Sequence, residues 1–289
     1  MNYILHLVVL IEIYMILSLS LNLMTGYTGL VSLAHAAFYG IGGYISSLLM
    51  INYGIDFILS VIFAVGGSFI ISLLISFASL RFKGDYFILV TLAFQVIVFS
   101  VLYNWVDLTR GPYGIPGIPK PNLFGFEIDS SFSFTIFGFV LMGLVTGFLV
   151  LLFSSPFGRT LQAIRDDEIA ALSLGKNIVS YKIRSVSIAS GCAALAGILY
   201  ATYVTYIDPT SFTLDESILL LSMVIVGGTG NIKGPIIGAI ILVLLPELLR
   251  FISIPDSIAA NMRLIIYGLL LILFMRFRPQ GIAGKYQFD

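Results

Sequence analysis

The chain has 289 residues, of which 58% are apolar and only 10% charged, with 15 basic and 15 acidic side chains in balance. A soluble domain carries about 25% charged residues, and a mean hydropathy of +1.04 over the whole length leaves no stretch of that kind. Zero net charge excludes the basic footprint of a nucleic-acid-binding protein, and a lone cysteine, Cys192, excludes an intrachain disulfide framework or a zinc cluster.

The composition predicts an all-α, polytopic transmembrane helical bundle, one membrane domain over residues 1–289, in contact with membrane lipid. A helix crossing the roughly 30 Å hydrocarbon core needs about 20 apolar residues. The first such run, Ile4 to Met24, lacks the Lys or Arg that opens a secretory signal, because the first basic residue is Arg81. It therefore reads as a retained span. Leu30 to Met50, Phe57 to Ser79 and Tyr86 to Asn104 follow. Beyond a polar break come Phe132 to Phe153, Ile183 to Val204, Glu216 to Gly228, Ile232 to Ile252 and Ala259 to Phe277. That is about nine spans, within a range of eight to ten, because the short seventh segment also suits a half-helix or re-entrant piece. With the N-terminus outside, the cytoplasmic side gathers Arg81, Lys83, Arg159, Arg165, Lys176, Lys182, Arg184, Lys233, Arg276, Arg278 and Lys285. Arg110, Lys120, Arg250 and Arg263 remain outside. This bias sets the orientation and retains the seventh segment as a crossing.

Two stretches between spans stand out. Residues 105–131 carry Pro112, Pro116, Pro119 and Pro121, which forbid a helix there. They read either as an ordered external loop offering a surface to a partner or as a plain connector. The loop from Ser154 to Lys182 reads as one capped helix over 155–175. Ser155 is its N-cap, Pro156 its first residue and Gly175 its stop. Phe157, Leu161, Ile164 and Leu172 form an apolar stripe at helical spacing, and Arg165, Asp166, Asp167 and Glu168 a charged cluster at mid-helix. Such a helix lies on a membrane or docks into another protein, and its acidic centre favours docking.

Within the spans, Gly40, Gly42, Gly43, Gly66, Gly67, Gly143 and Gly147 are small residues of the kind that let helices approach closely. Gly26 to Gly29 and Gly227 to Gly230 mark either broken helices at a translocation path or plain turns. Ionisable groups are few: Glu12, His35, and a Glu247–Arg250 pair three residues apart. His35, among alanines, reads as a packing residue rather than a proton relay. Asn22, Thr91 and Gln95 either line a path with it or bond across helices. Cys192 reads as a packed helix position. No catalytic signature such as HExxH or GxSxG is present, and Gly228-TGNI-Lys233 lacks the spacing of a phosphate loop. The chain is thus expected to be no enzyme, with no catalytic residues and no metal; an ATP motor, if any, is another polypeptide.

Six segments in order carry a resemblance: Gly26-YTGLVSLAHAAFYGIGGY-Ile45, Arg81-FKGDYFILVTLAF-Gln95, Gly111-PYGIPGIP-Lys120, Ser155-PFGRTLQAIRDDEIAALSLG-Lys176, Val226-GGTGNIKGPIIGA-Ile240 and Phe277-RPQGIAG-Lys285. Over nearly its whole length the chain resembles the LivM-type permeases of bacterial branched-chain amino-acid ABC importers. That resemblance implies a multi-pass permease subunit of the bacterial cytoplasmic (inner) membrane that forms a translocation path. It further implies two ABC ATPase subunits as partners, with ATP bound on them and no cofactor on this chain. A second homologous permease and an extracytoplasmic solute-binding protein complete the implied assembly, which involves no nucleic acid. The 155–175 helix resembles the coupling element of ABC importers, since Ala170-Ala171 followed by Gly175 fits the AA-x-x-x-G spacing. Glu168 stands one residue further upstream than the common pattern, and the later Leu-Pro is missing. On this footing Arg165, Asp166, Asp167, Glu168, Ala170, Ala171 and Gly175 are the expected ATPase-coupling residues, while Phe157, Leu161 and Ile164 pack on the chain's own membrane domain. The implied solute is a branched-chain amino acid, although relatives of this pattern also handle other amino acids, amides and urea. Two rival classes stand beside this one: an ion-gradient-driven secondary transporter of a small solute, and a membrane assembly subunit without a path.

Overall fold

The structure, a computed structural model, describes residues 2–79, 85–123, 125–250, 256–278 and 280–284. Of the basic residues that orient the chain, Arg81, Lys83 and Lys285 lie outside the described residues, as do the side chains of Arg250 and Arg263. Helix α1 covers Asn2–Asn22 and continues through one π-helical turn, Leu23–Tyr27. Next come α2 (His35–Tyr53), α3 (Phe57–Ser79), α4 (Asp85–Asn104) and the single turn α5 (Val106–Thr109). After the loop lie α6 (Ser131–Ser154), α7 (Pro156–Asp166), α8 (Glu168–Ser173) and α9 (Ile178–Val204). The series ends with α10 (Leu214–Gly227), α11 (Lys233–Arg250) and α12 (Asp256–Phe277).

A helix falls on each apolar segment read from the sequence. Among the described residues, five helices are long and apolar enough to cross a bilayer: Tyr3–Tyr27, Phe57–Phe77, Tyr86–Asn104, Ser131–Ser154 and Ile178–Val204. The chain is thus an all-α, multi-pass membrane protein. Helix α10 has 14 residues, about 21 Å at 1.5 Å per residue, and is shorter than the hydrocarbon core. The burial pattern is that of a bundle in lipid: α3 turns Ile62, Phe63, Ile70, Leu74 and Phe77 outward, and α6 does the same with Phe132, Phe139, Leu144 and Leu151.

At the centre stands α9, with Ala189, Ala193, Ala194, Ala196, Gly197 and Ala201 buried. Its small residues admit α2 at backbone distance. A Cβ on Gly197 would collide with the Tyr39 carbonyl, and one on Gly42 with Ala194. Where lipid gives no hydrophobic drive, such contact is what holds helices together. Gly40 meets the Phe212 side chain and Gly67 the tip of the Ile45 side chain. The expectation does not extend to Gly66, Gly143 and Gly147, which have open space where a Cβ would stand. Spacing reveals a small residue but not which face of the helix it occupies.

The described residues of the 105–131 loop carry short elements. After α5, Pro112 opens a 3-10 turn, Gly111–Tyr113, so the prolines permit helix only at single-turn length. Strand β1 (Ile115–Pro116) then precedes the hairpin of β2 (Asn122–Leu123) and β3 (Phe126–Glu127). Strand β4 (Tyr206–Ile207), after α9, pairs antiparallel with β1, setting Ile115 opposite Ile207. Gly117 N and Ile118 N both donate to Thr205 O, at 3.0 and 3.2 Å. With Ile115 and Ile118 buried, the loop is fastened over the connection from α9 to α10.

Candidate functional site

The segment expected to be one helix over 155–175 is two. Ser155 caps α7 as anticipated, its hydroxyl accepting from Gly158 N at 3.3 Å with Pro156 at the first position. At Asp167 the backbone turns extended (φ −156°, ψ 106°), and the carboxylate accepts from Ile169 N and Ala170 N at 2.8 and 3.0 Å. Aspartate is among the strongest N-caps, so at this position it opens a helix instead of continuing one. Gly175 (φ +73°) ends α8. Gly175 N donates to Leu172 O and Lys176 N to Ala171 O, the paired bonds of a Schellman stop.

This elbow shifts the apolar phase. Leu161 and Ile164 are fully buried and Phe157 stacks on Tyr181 of α9 at 5.5 Å. Beyond the bend Ala171 is buried, joining Ile164 and Ile178 in a small cluster. Leu172, expected in the stripe, is 57% exposed. Ile169, Leu174 and Val179 are exposed too, in the same stretch of chain as the acidic Asp166, Asp167 and Glu168. The four charged residues divide. Asp166 and Asp167 face solvent, Glu168 pairs with Lys182 of α9, and Arg165 turns inward. The Arg165 guanidinium donates to Gly26 O at 2.6 Å and to the Asp166 carboxylate at 2.9 Å through Nε.

The four polar residues expected along a path are all buried and bonded inside the chain. Asn22 donates to Asn231 O at 2.8 Å and accepts from Gly230 N at 3.2 Å. His35 shares a 2.7 Å bond with the Ser20 hydroxyl. Thr91 accepts from Leu33 N at 3.1 Å. Gln95 accepts from Ala37 N and donates to Phe212 O, each at 2.7 Å. Two of them, Thr91 and Gln95, serve one interruption. Residues 29–34 are not helical although the second segment was read as starting at Leu30, and α2 starts only at His35. Backbone N–H groups at such a break need partners when water is absent, and Thr91, Gln95 and Ser217 supply them, the last accepting from Ala36 N at 3.0 Å. Asn22 instead clips the end of α1 to the turn between α10 and α11.

That turn, Gly227 to Gly230, is filled by later backbone. Ile282 N donates to Val226 O and Ala283 N to Gly227 O, both at 2.9 Å, and Asn231 bonds to Ala283 O. A Cβ on Gly228 would run into Gly284. The space that a phosphate loop keeps for its anion is here taken by residues 280–284.

A cavity of about 580 Å³ opens between α1, α10, α11 and α12. Leu7, Leu10, Leu219, Leu242 and Val243 give it apolar walls, and Tyr14, Thr213, Asp215, Glu216, Glu247 and Tyr267 polar ones. Sequence reading took Glu216 only as a segment boundary; the acidic pair opening a short apolar helix was the signal for it. Glu247 accepts a hydrogen bond from the Tyr3 hydroxyl, while its expected partner Arg250 has its side chain outside the described residues. Glu12 lies apart, buried against Gly138 of α6.

Comparison with known proteins bears on the chain as a whole. A family model described as the permease component of branched-chain amino acid transport systems matches residues 3–275. The chain is 36% identical to the high-affinity branched-chain amino acid transport system permease protein LivM of Salmonella typhimurium, over 93% of this chain and 67% of that protein. Identity to the Escherichia coli protein of the same name is also 36%, with the same coverage. A probable LivM of Methanocaldococcus jannaschii is 27% identical over 94% of this chain and 91% of its own length. These relatives are named as transport permeases, not enzymes. No solved structure matches.

Proposed function

The chain belongs to the family of permease components of branched-chain amino-acid transport systems, and from that membership we propose that it is the membrane subunit of an ATP-driven importer of branched-chain amino acids. The observation that carries the reading is the α7–α8 elbow. It is capped at both ends and bolted to the membrane domain through Arg165 and the Glu168–Lys182 pair. Outward it presents Asp166, Asp167, Ile169, Leu172 and Leu174, a set of mixed chemistry that is exposed among the described residues. We assign that set, with Glu168, Ala170 and Gly175, to a groove of an ATPase subunit; Ala171 supports it from beneath.

In this reading nine helices cross the bacterial cytoplasmic membrane, α10 as a short crossing, and the elbow lies on the cytoplasmic side. ATP is held by two ATPase subunits, a second homologous permease completes the pathway, and an extracytoplasmic binding protein delivers solute. The cavity between α1, α10, α11 and α12 is the surface on which an amino acid meets this chain, its apolar walls matching a branched side chain and its acids an ammonium group. To swing a gate from 1:99 to 99:1 the two states must differ by about 5.5 kcal/mol in affinity for the driving ligand. A stiff, bonded elbow is what lets ATP binding in a partner bear on the helices. The unwound residues 29–34 would equally suit an ion-gradient-driven carrier, so the test must separate the two.

Purification of the complex from native membranes, with ATPase assay and vesicle uptake of leucine, does so. Co-purifying ATPase chains and leucine uptake that requires ATP are the expected result. A chain that purifies alone and moves solute on an ion gradient overturns the importer reading.

A further inference from the structure

We infer that Arg165 is a positioning residue that ties the α7–α8 elbow to the interrupted end of α1, rather than a contact to the ATPase; this rests on the importer reading above. The two neighbours in the charged cluster make the contrast plain. The Asp166 side chain is 59% exposed and the Arg165 side chain only 11%. The guanidinium points away from the surface that a partner would cover.

Its target is the Gly26 carbonyl, inside the π turn Leu23–Tyr27 that closes α1. The last carbonyls of a helix have no intrahelical donor, and π turns recur where a helix is put to use. A 2.6 Å bond from a cation to that carbonyl is charge-assisted and stronger than a neutral one. The opposite edge of the fork is held by Asp166, with Nε at 2.9 Å and Nη2 at 2.8 Å, so the group is aimed as well as neutralised. The fit is close: Gly29 has φ +74°, and a Cβ there would stand 3.1 Å from Arg165 Cγ. Tyr27, in the same π turn, stacks flat on Phe153 at 3.7 Å, just ahead of α7.

The link does not end at α1. A Cβ on Gly26 would stand 2.5 Å from Gly230 N, and Asn22, one turn back, bonds to both Gly230 N and Asn231 O. Arg165, Gly26, Asn22 and the Gly230–Asn231 turn therefore form one unbroken run of polar and backbone contacts. It joins the elbow to α1 and, through the turn, to α10 and α11, which line the cavity together with α1. Displacing the elbow pulls on the end of α1 through this bond. A cluster that merely touched the ATPase would need no such inward arginine.

The test uses the complete importer with its ATPase and binding-protein partners, reconstituted in vesicles, comparing wild type, Arg165→Met and Arg165→Lys. Co-purified ATPase, ATP hydrolysis and leucine imported per ATP are measured for each. Arg165→Met is expected to retain the ATPase and hydrolyse ATP while importing about tenfold less leucine per ATP, the scale of losing one hydrogen bond to a charged group. Arg165→Lys, which keeps a cation on a long stem, is expected to recover part of that loss. If Arg165→Met does not accumulate, a lowered import ratio in Arg165→Lys with ATPase still bound supports the assignment. An unchanged ratio, or loss of the ATPase from either variant, overturns it by making Arg165 dispensable or a partner contact. A wild-type complex without ATP-driven uptake overturns the importer reading, and this inference with it.

Discussion

At the scale of single residues, the elbow turns on Asp167. Its carboxylate satisfies two backbone donors at the start of α8, and removing an N-cap of this kind costs about 1 kcal/mol. Asp167→Ala should therefore speed amide exchange at Ile169 and Ala170 by about fivefold, the ratio that corresponds to such a loss; exchange mass spectrometry on the solubilised protein reads this directly. The outer caps, Ser155 and Gly175, were legible because each is a local rule about one residue and its immediate neighbours. Asp167 was not, since a carboxylate between Asp166 and Glu168 looks like any member of a charged cluster until its own φ and ψ are known. The polar quartet was half legible for a related reason. The sequence showed that Asn22, His35, Thr91 and Gln95 were out of place in apolar helices, but bonding across helices and lining a path place the same residue types at the same positions. Only the partners decide, and the partners are distant in the chain: Gln95 reaches Phe212, and Asn22 reaches Gly230.

Elements bring a second kind of constraint, since what matters is which face of a helix meets another. Contact between α2 and α9 depends on Gly197 and Gly42, where backbone lies against backbone. Gly143 in α6 has open space in that direction. Gly197→Leu is expected to abolish accumulation of a monodisperse protein, and Gly143→Leu to leave it intact; size-exclusion chromatography of tagged variants distinguishes the two, and equal behaviour would refute the packing argument. The elbow supplies the functional counterpart. Glu168→Lys sets a second ammonium against Lys182, loosening α8 from α9 without touching a membrane span. The variant should insert normally and hydrolyse ATP while uptake falls several-fold; uptake at the wild-type level would exclude a coupling role for this pair. Element starts were legible where an apolar run opened cleanly, as at Phe57, where α3 also begins. They failed at Leu30, because apolar residues between Gly29 and His35 read as span whether or not they are wound.

For the molecule as a whole, the outer surface of α3 and α6 is apolar, and the elbow and the 105–131 loop hang from different inter-helix connections. On the proposed reading the elbow is cytoplasmic, and the positive-inside rule then expects the loop on the other side. The single native cysteine is buried, which makes the arrangement easy to test. In a Cys192→Ala background, Asp166→Cys should react with an impermeant maleimide only in inverted vesicles, and Lys120→Cys only in intact cells with the outer barrier opened. Labelling of both from one side would show that α6, the long helix between them, does not cross. Fold class was plain from composition because lipid exposure demands apolar residues on nearly every face. The short α10 was harder, since 14 residues carry the same composition whether they cross or re-enter.

The turn between α10 and α11 is completed by residues 280–284, which pair with Val226 and Gly227. A ribosome adding roughly 5–20 residues per second reaches them several seconds after it has made the turn. Until then the carbonyls of Val226 and Gly227 wait without these donors while α11 and α12 are being made. Maturation of this end of the molecule is thus a late event in the life of the nascent chain, and a message truncated just ahead of Gln280 would yield a protein with its helices made but its last knot untied, a recognisable substrate for membrane proteases.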